Sequence, residues 1–498
     1  MPRKIPRLLW LAVPLAYLLY FYHLGSTGVL GPDEPRYASI GREMARSGGW
    51  ITPVLWGKPW FEKPALLYWM IAAAFRAGIG LDLAPRLPVA LLAVGFLAFF
   101  WWMVNREYGG RAAGFAVLIL GTSVGWMALG QAGVTDLPLA ATFSAAMLLA
   151  LPWIAKGDAR YLPASAAMLG LAVLAKGPAP LILALPLALR GRQLRDLLRS
   201  RVVIPFLVVA APWYVLCYAK NGSVFVREFL LKQNLQRYTS AEVIQHGHPW
   251  WYFAPVLAGG LLPWLPLLAA AIRRPGLNDP RKKFLAAWVV WVLLFFSISA
   301  NKLPAYILPM FPAAALLMAL ALDEVPNAAP WLAVSALLLV VYPIAAPLLP
   351  SALEFSLSHA APPAFDASWL YPVFVALLAW MAESRGRRVL AVACVAGGVA
   401  IGAADLKSAA VPALEAMPSP RELWQKVRSH ADEVCLDQVQ RNWAYGLNYY
   451  AGKALPDCSE HATPWQVRQQ PGRAPWLAVP EYSPQLAPPV VPRTGPAR

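Results

Sequence analysis

Charge is what this chain has least of. Only 14% of its 498 residues are Asp, Glu, Lys or Arg, whereas soluble domains carry about 25%. A water-facing surface of ordinary size cannot be built from so few, so a soluble globular protein is excluded. The 58% of apolar residues require lipid as solvent. Acid is scarcer still, with 26 Asp and Glu against 43 Lys and Arg. The resulting net charge of +17 invites a nucleic-acid reading, but the basic excess lies in loops beside apolar runs, where the positive-inside rule alone puts it. Nucleic acid is therefore not an expected partner. No repeat of 20–50 residues is visible, which removes solenoid folds. The first apolar stretch lacks a small-x-small cleavage site after it and reads as an uncleaved span rather than a signal peptide.

What is present is a series of apolar runs, each long enough to cross a core of about 30 Å. They fall near 8–24, 84–104, 112–130, 137–155, 161–175, 178–190, 203–219, 251–272, 284–300, 305–322, 329–348, 369–383 and 389–404. The expected fold class is an all-α polytopic membrane domain of about 13 transmembrane helices. Lys and Arg crowd alternate loops, at Arg3–Arg7, Arg106–Arg111, Lys156–Arg160, Arg190–Arg201, Arg273–Lys283 and Arg385–Arg388. These loops are expected in the cytoplasm, with the N-terminus. The opposite face then receives loops at about 25–83 and 220–250, the turn at 301–304, and everything after about 404.

Residues 1–404 thus read as the membrane domain and 405–498 as a small soluble α/β unit on the exported side. Ser419-Pro420-Arg421-Glu422 has the form of a capped helix start, a second helix should run to Gly452, and Glu433–Val439 and Trp476–Val479 read as strands. The tail from about Ser483 is Pro-rich and fits disorder. Cys217 and Cys394 fall within spans as packing residues, while Cys435 and Cys458 share the exported segment, where a disulfide is plausible.

Chemistry concentrates on the exported helix ends. The first loop carries Asp33-Glu34-Pro-Arg36-Tyr37 and Trp60-Phe61-Glu62-Lys63-Pro64 on two stretches that read as interfacial amphipathic helices. Asp136, Lys176, Arg237, and Lys302 with Tyr306 join them from other helix ends on the same side. The bland alternative is that Asp33 or Glu34 caps a helix starting at Pro35 and that Glu62 and Lys63 snorkel.

In order along the chain stand Pro-Asp-Glu-Pro-Arg-Tyr-Ala (32–38), Phe-Glu-Lys-Pro (61–64), Thr-Asp (135–136), Lys-Gly-Pro (176–178), Asn-Leu-Gln-Arg-Tyr (234–238), His-Pro-Trp-Trp-Tyr (248–252), Leu-Pro-Trp (262–264) and Lys-Leu-Pro-Ala-Tyr-Ile-Leu (302–308). This series resembles the bacterial aminoarabinose transferases that modify lipid A. Those enzymes are GT-C glycosyltransferases, related to the protein O-mannosyltransferases. The resemblance implies a GT-C fold in the inner membrane, an undecaprenyl-phosphate sugar as donor, and lipid A or another envelope molecule as acceptor. It also implies Asp33 as the catalytic carboxylate and Lys63 and Lys176 on the donor phosphate; by their own chemistry Arg237, with a bidentate grip, and Lys302 are further candidate phosphate ligands. Glu34, Arg36, Tyr37, Glu62, Asp136 and Tyr306 are then expected to bind substrate.

Cations preorganised in a partly dry site would stabilise the negative charge that grows on the leaving phosphate. Asp33 would act as general base toward a hydroxyl acceptor, or orient the acceptor or stabilise the sugar's cationic centre if the acceptor is a phosphate. No cofactor is required by this chemistry. The family pattern also carries a Glu-His before the Arg-Tyr pair that is associated with a metal, but here Lys232-Gln233-Asn234 stands in its place. A divalent metal stays open, with Glu62, His246 and His248 as candidate ligands. The competing classes are a GT-C transferase of another sugar to protein or envelope glycan, and a lipid-sugar transporter. A transporter would show paired repeats and ionisable groups near the midplane, and neither is seen.

Overall fold

A computed structural model describes residues 7–236, 247–274, 276–354, 363–461, 463–470 and 473–478. The architecture is a helical bundle whose apolar core carries Trp126, Trp153, Trp264 and Trp288 fully buried. Among the described residues, seven helices are long and apolar enough to cross a membrane, or eight if the bent pair Trp250–Gly260 and Leu265–Arg273, folded by 112°, counts as one span. Several other runs expected to cross form helices shorter than this, among them Gly110–Gly121 and Leu162–Lys176.

Helix α1 (Arg7–Ala16) continues as a π turn to Phe21. The polar stretch after it folds into α2 (Asp33–Ser47), the hairpin β1–β2 (Val54–Leu55, Lys58–Pro59) and α3 (Leu66–Arg76). The two helices were legible in the sequence; the two-residue strands between them are too short to leave a pattern. Gly48 ends α2 in the left-handed conformation, the usual glycine C-cap. Gly41 lets α2 and α3 approach closely, since a Cβ there would lie 2.6 Å from Ile71. Helix α4 (Leu87–Tyr108) follows.

The last long helix, Arg388–Ala416, does not stop near 404 as the loss of apolar runs implies. It continues through Lys407, whose ammonium donates to the carbonyls of Leu18 (3.2 Å), Leu19 (2.9 Å) and Tyr22 (3.2 Å). A cation on the open carbonyls at the end of the first helix is favoured by the helix dipole as well as by the hydrogen bonds. A polar residue can thus prolong a helix by serving its neighbour.

Beyond it, β3 (Val434–Asp437) pairs in parallel with β4 (Trp465–Arg468), which pairs antiparallel with β5 (Trp476–Ala478). Helices Arg421–Val427 and Arg441–Ala451 pack beside this sheet, and a disulfide joins Cys435 to Cys458. The expected capping box is not formed. Pro420, not Ser419, is the N-cap and makes no side-chain cap bond. Ser419 Oγ instead accepts from the Arg421 N–H at 3.3 Å. Strand β4 escaped the sequence reading, and the Pro-rich tail lies outside the described residues.

Candidate active site

Asp33 and Glu34 open α2, and they face different surroundings. Glu34 is 4% exposed. It accepts from Arg86 Nε (2.8 Å) and Nη2 (2.7 Å), and from the backbone N–H groups of Leu30 and Gly133, each at 2.9 Å. Arg86 spends its other donors on the carbonyls of Leu24, Thr27 and Gly28. Burial alone would raise the Glu34 carboxyl, but the Arg86 charge and these hydrogen bonds hold it below its ordinary value. Glu34 is therefore a buried lock that ties the start of α2 to the start of α4 and to the segment before Asp136. Arg86 was missed in the sequence, although a lone Arg at a span end expected to be exported departs from the positive-inside rule and was the available signal.

Asp33 keeps 47% of its side chain exposed, and its one described ion pair is with Arg36, at 2.5 Å. The N-cap of α2 is Pro32, with no side-chain cap bond, so neither acid caps the helix. Arg36 is buried between Asp33 and Glu62, whose Oε2 lies 3.0 Å from Nη1. The guanidinium also lies over the rings of Tyr37 (5.2 Å) and Trp60 (5.8 Å). Burial opposes its charge, but Tyr37, Glu62 and Asp33 together push its pKa up. Lys63, on the other side of Glu62 at 3.4 Å, is also largely buried. Neither Glu62 nor Lys63 is a snorkelling surface residue. Burial drives the Tyr37 phenol well up, helped by the Asp33 and Glu62 carboxylates, so it is a hydrogen-bond donor and never a phenolate near neutrality. Tyr68, fully buried, has a hydroxyl without a hydrogen-bond partner among the described residues.

The second half of the cluster follows from antiparallel packing. Helix Asp136–Leu149 begins where its neighbour Leu162–Lys176 ends, so Asp136 and Lys176 meet in an ion pair. The Lys176 ammonium sits 4.8 Å from the centre of the Tyr306 ring, a cation–π contact. The charge of Asp33 reaches Lys176 only weakly, after those of Asp136 and Tyr306. Lys302 is 5% exposed and donates to the Ser299 carbonyl at 2.6 Å, a bond within its own turn. Arg237 and His246 lie outside the described residues.

The described residues do not fit a metal. Glu62 faces two cations, Arg36 and Lys63, and a carboxylate so engaged has little to offer a third. His248 stacks on Tyr252 with ring centres 4.2 Å apart. Among the described residues no group of three or more His, Cys, Asp or Glu is placed to hold an ion.

The arrangement is a half-exposed carboxylate beside buried cations at the end of a helical bundle. In a crystal structure of ArnT from Cupriavidus metallidurans bound to undecaprenyl phosphate the same fold recurs, with a TM-score of 0.71 over 93% of each chain and 25% identity. This chain resembles the aminoarabinose transferases, and its fold is theirs. Residues 62–218 match the family model described as dolichyl-phosphate-mannose-protein mannosyltransferase. Two relatives carry the name undecaprenyl phosphate-alpha-4-amino-4-deoxy-L-arabinose arabinosyl transferase. The one from Pseudomonas paraeruginosa is 34% identical over 63% of this chain and 60% of its own length. The one from Pseudomonas aeruginosa PAO1 is 35% identical over 62% and 58%. The match thus spans about 60% of the length of these curated relatives. This multi-pass membrane protein has the GT-C architecture of ArnT.

Proposed function

We propose that this chain is a membrane glycosyltransferase that moves a sugar, 4-amino-4-deoxy-L-arabinose being the first candidate, from undecaprenyl phosphate to lipid A or another envelope acceptor. The observation that carries this reading is the placement of Asp33. It is the exposed carboxylate of a site whose other charged groups are buried and paired. Lys63 and Lys176 supply positive charge where the donor phosphate would leave, and Asp33 acts on the sugar centre or the acceptor. Tyr306 offers its ring and hydroxyl to the sugar, while Tyr37, buried under the Arg36 guanidinium, acts only through Arg36. Arg36 and Asp136 hold Asp33 and Lys176 respectively, while Glu34, buried on Arg86, acts on substrate only through the position of α2.

In this reading the chain crosses the inner membrane about thirteen times, with the N-terminus in the cytoplasm. The membrane domain ends on the exported side, where the α/β unit sits. The transfer of another sugar to protein is the second reading, favoured by the match to a protein mannosyltransferase model. Mass spectrometry of lipid A, envelope glycans and exported proteins from cells with and without the protein tests both. A mass increment on lipid A that vanishes with the gene supports the first. An increment on exported protein supports the second, and no difference in any fraction overturns the transferase assignment.

A further inference from the structure

Two cavities outside the Asp33 cluster share the far end of α2. One, of about 200 Å³, lies between α2, the hairpin and helix Arg441–Ala451, and is lined by Arg42, Glu43, Arg46, Trp56, Tyr449 and Lys453 among others. Its neighbour, of about 300 Å³, shares Arg42 and Arg46 and adds Arg76 from the end of α3. Positive charge dominates the groove they form: Arg42, Arg46, Arg76 and Lys453 against Glu43. The Lys453 ammonium also meets Asp432. Arg42 is half-buried, and its described hydrogen bond goes to the Tyr449 carbonyl at 2.8 Å. Burial lowers the pKa of its guanidinium, and Arg46 beside it adds to the lowering. Both groups would be stabilised by an anion.

The positive-inside rule does not explain these residues, because they stand on the face where that rule leaves few. One residue of the groove wall, Trp56, carries an unmet donor. Trp56 sits at the hairpin turn with φ +49°, its ring edge-on to Tyr445 at 5.1 Å. Its indole Nε1 is shut off from solvent with no acceptor among the described residues. Of the lining cations, Arg76 is held 5.5 Å over the Trp50 ring, which fixes its guanidinium at the edge of the groove.

We propose that this groove is a second anion site that takes a phosphate group of a glycolipid while Asp33 acts on another part of the same face. Arg42 follows Asp33 by nine residues on one helix and Arg46 by thirteen, which puts the site about 14–20 Å from the reacting carboxylate along the axis. That span fits an acceptor bearing a second phosphate, distant from the position that receives the sugar. The same chemistry would be met by the headgroup of a neighbouring anionic lipid. The proposal rests on the transferase reading for its acceptor and on the groove alone for its anion.

The test uses the full-length protein and the double variant Arg46→Gln/Arg76→Gln, whose exposed heads carry none of the contacts around Asp33. Transfer is measured in phosphatidylcholine nanodiscs with a glycolipid acceptor carrying one phosphate or two, and again with anionic phospholipid added. Inorganic pyrophosphate binding is measured in parallel by calorimetry. For the variant, the acceptor's own phosphate as the source predicts a KM about tenfold or more higher for the two-phosphate acceptor, with kcat and the one-phosphate acceptor unchanged. An anionic lipid as the source predicts instead that the variant loses the wild type's response to added anionic lipid. In either case the variant binds pyrophosphate about tenfold more weakly. Equal pyrophosphate binding by variant and wild type overturns the site, whatever the activity shows. Weakened binding with no transfer by wild type to any acceptor leaves the site standing and removes the transferase reading.

Discussion

Asp33 and Glu34 are neighbours in the chain, yet substitution should separate them completely. Asp33→Asn keeps shape and polarity, so it should reach the membrane and bind undecaprenyl-phosphate sugar normally while turnover falls about a hundredfold or more. Near-normal turnover of the purified variant would remove Asp33 from catalysis. Glu34→Gln leaves Arg86 buried with half its partner gone, and breaking a buried pair costs about 3–5 kcal/mol, so this variant should lose yield and thermal stability before activity is in question. The Glu34 carboxyl is held below its ordinary value, so the unfolded chain takes up its proton first as pH falls. The stability contributed by the pair is therefore complete above the ordinary carboxylate range, at about pH 5 and higher, and is lost as pH drops through the folded value. Melting curves in detergent should show that acid loss in the wild type, and Glu34→Gln should flatten it. Lys63→Ala and Lys176→Ala should each weaken donor binding and slow transfer, because a cation that neutralises the leaving phosphate serves both ground and transition state. Donor affinity unchanged by either substitution would take that lysine off the phosphate.

Helices were legible in the sequence wherever their periodicity or apolar length was strong, and the candidate site was legible because its residues sit at their ends. Asp136 and Lys176 could be singled out, but their pairing could not, since it depends on two helices packing antiparallel in register. The partner of Arg86 was hidden for the same reason: Glu34 lies 52 residues away, across a loop whose path only the fold determines. Short elements fared worst. The β1–β2 hairpin is too brief to alternate, and β4 gains its identity from pairing with β3. The extension of Arg388–Ala416 past 404 rests on Lys407 finding the end of the first helix, a tertiary reward that overrides a falling hydropathy. Lys407→Met should keep the apolar contact but abandon three carbonyls, lowering the melting temperature. An unchanged melt would show that water replaces the ammonium there.

At the scale of the whole molecule, the α/β unit is attached by more than the helix that leads to it. Tyr449 donates to the Leu81 carbonyl at 2.6 Å, and Tyr450 bonds Asp82 at 2.5 Å while accepting from the Val29 N–H at 3.1 Å. Arg421 bridges Asp82, Glu415 and the Ser26 carbonyl. The unit therefore fastens both ends of the loop that carries Asp33 and Lys63. Peptide mapping without reductant should recover Cys435 linked to Cys458, and two freely alkylated thiols would show that the unit does not mature in an oxidising compartment.

These fastenings also set an order of events during synthesis. Leu81 emerges from the ribosome 368 residues before Tyr449. At about 5–20 residues per second the interval is roughly 20–75 s. Throughout it Arg86 holds the start of the Asp33 loop, but the contacts from Arg421, Tyr449 and Tyr450 are still missing. On the proposed function, a nascent or prematurely ended chain would sit in the membrane without these contacts and leave lipid-linked sugar untouched. On that reading residues 417–498 complete the loop that residues 26–82 begin. A chain stopped after Ala416 should insert and accumulate without transferring, and supplying residues 417–498 as a separate exported fragment should restore part of the activity.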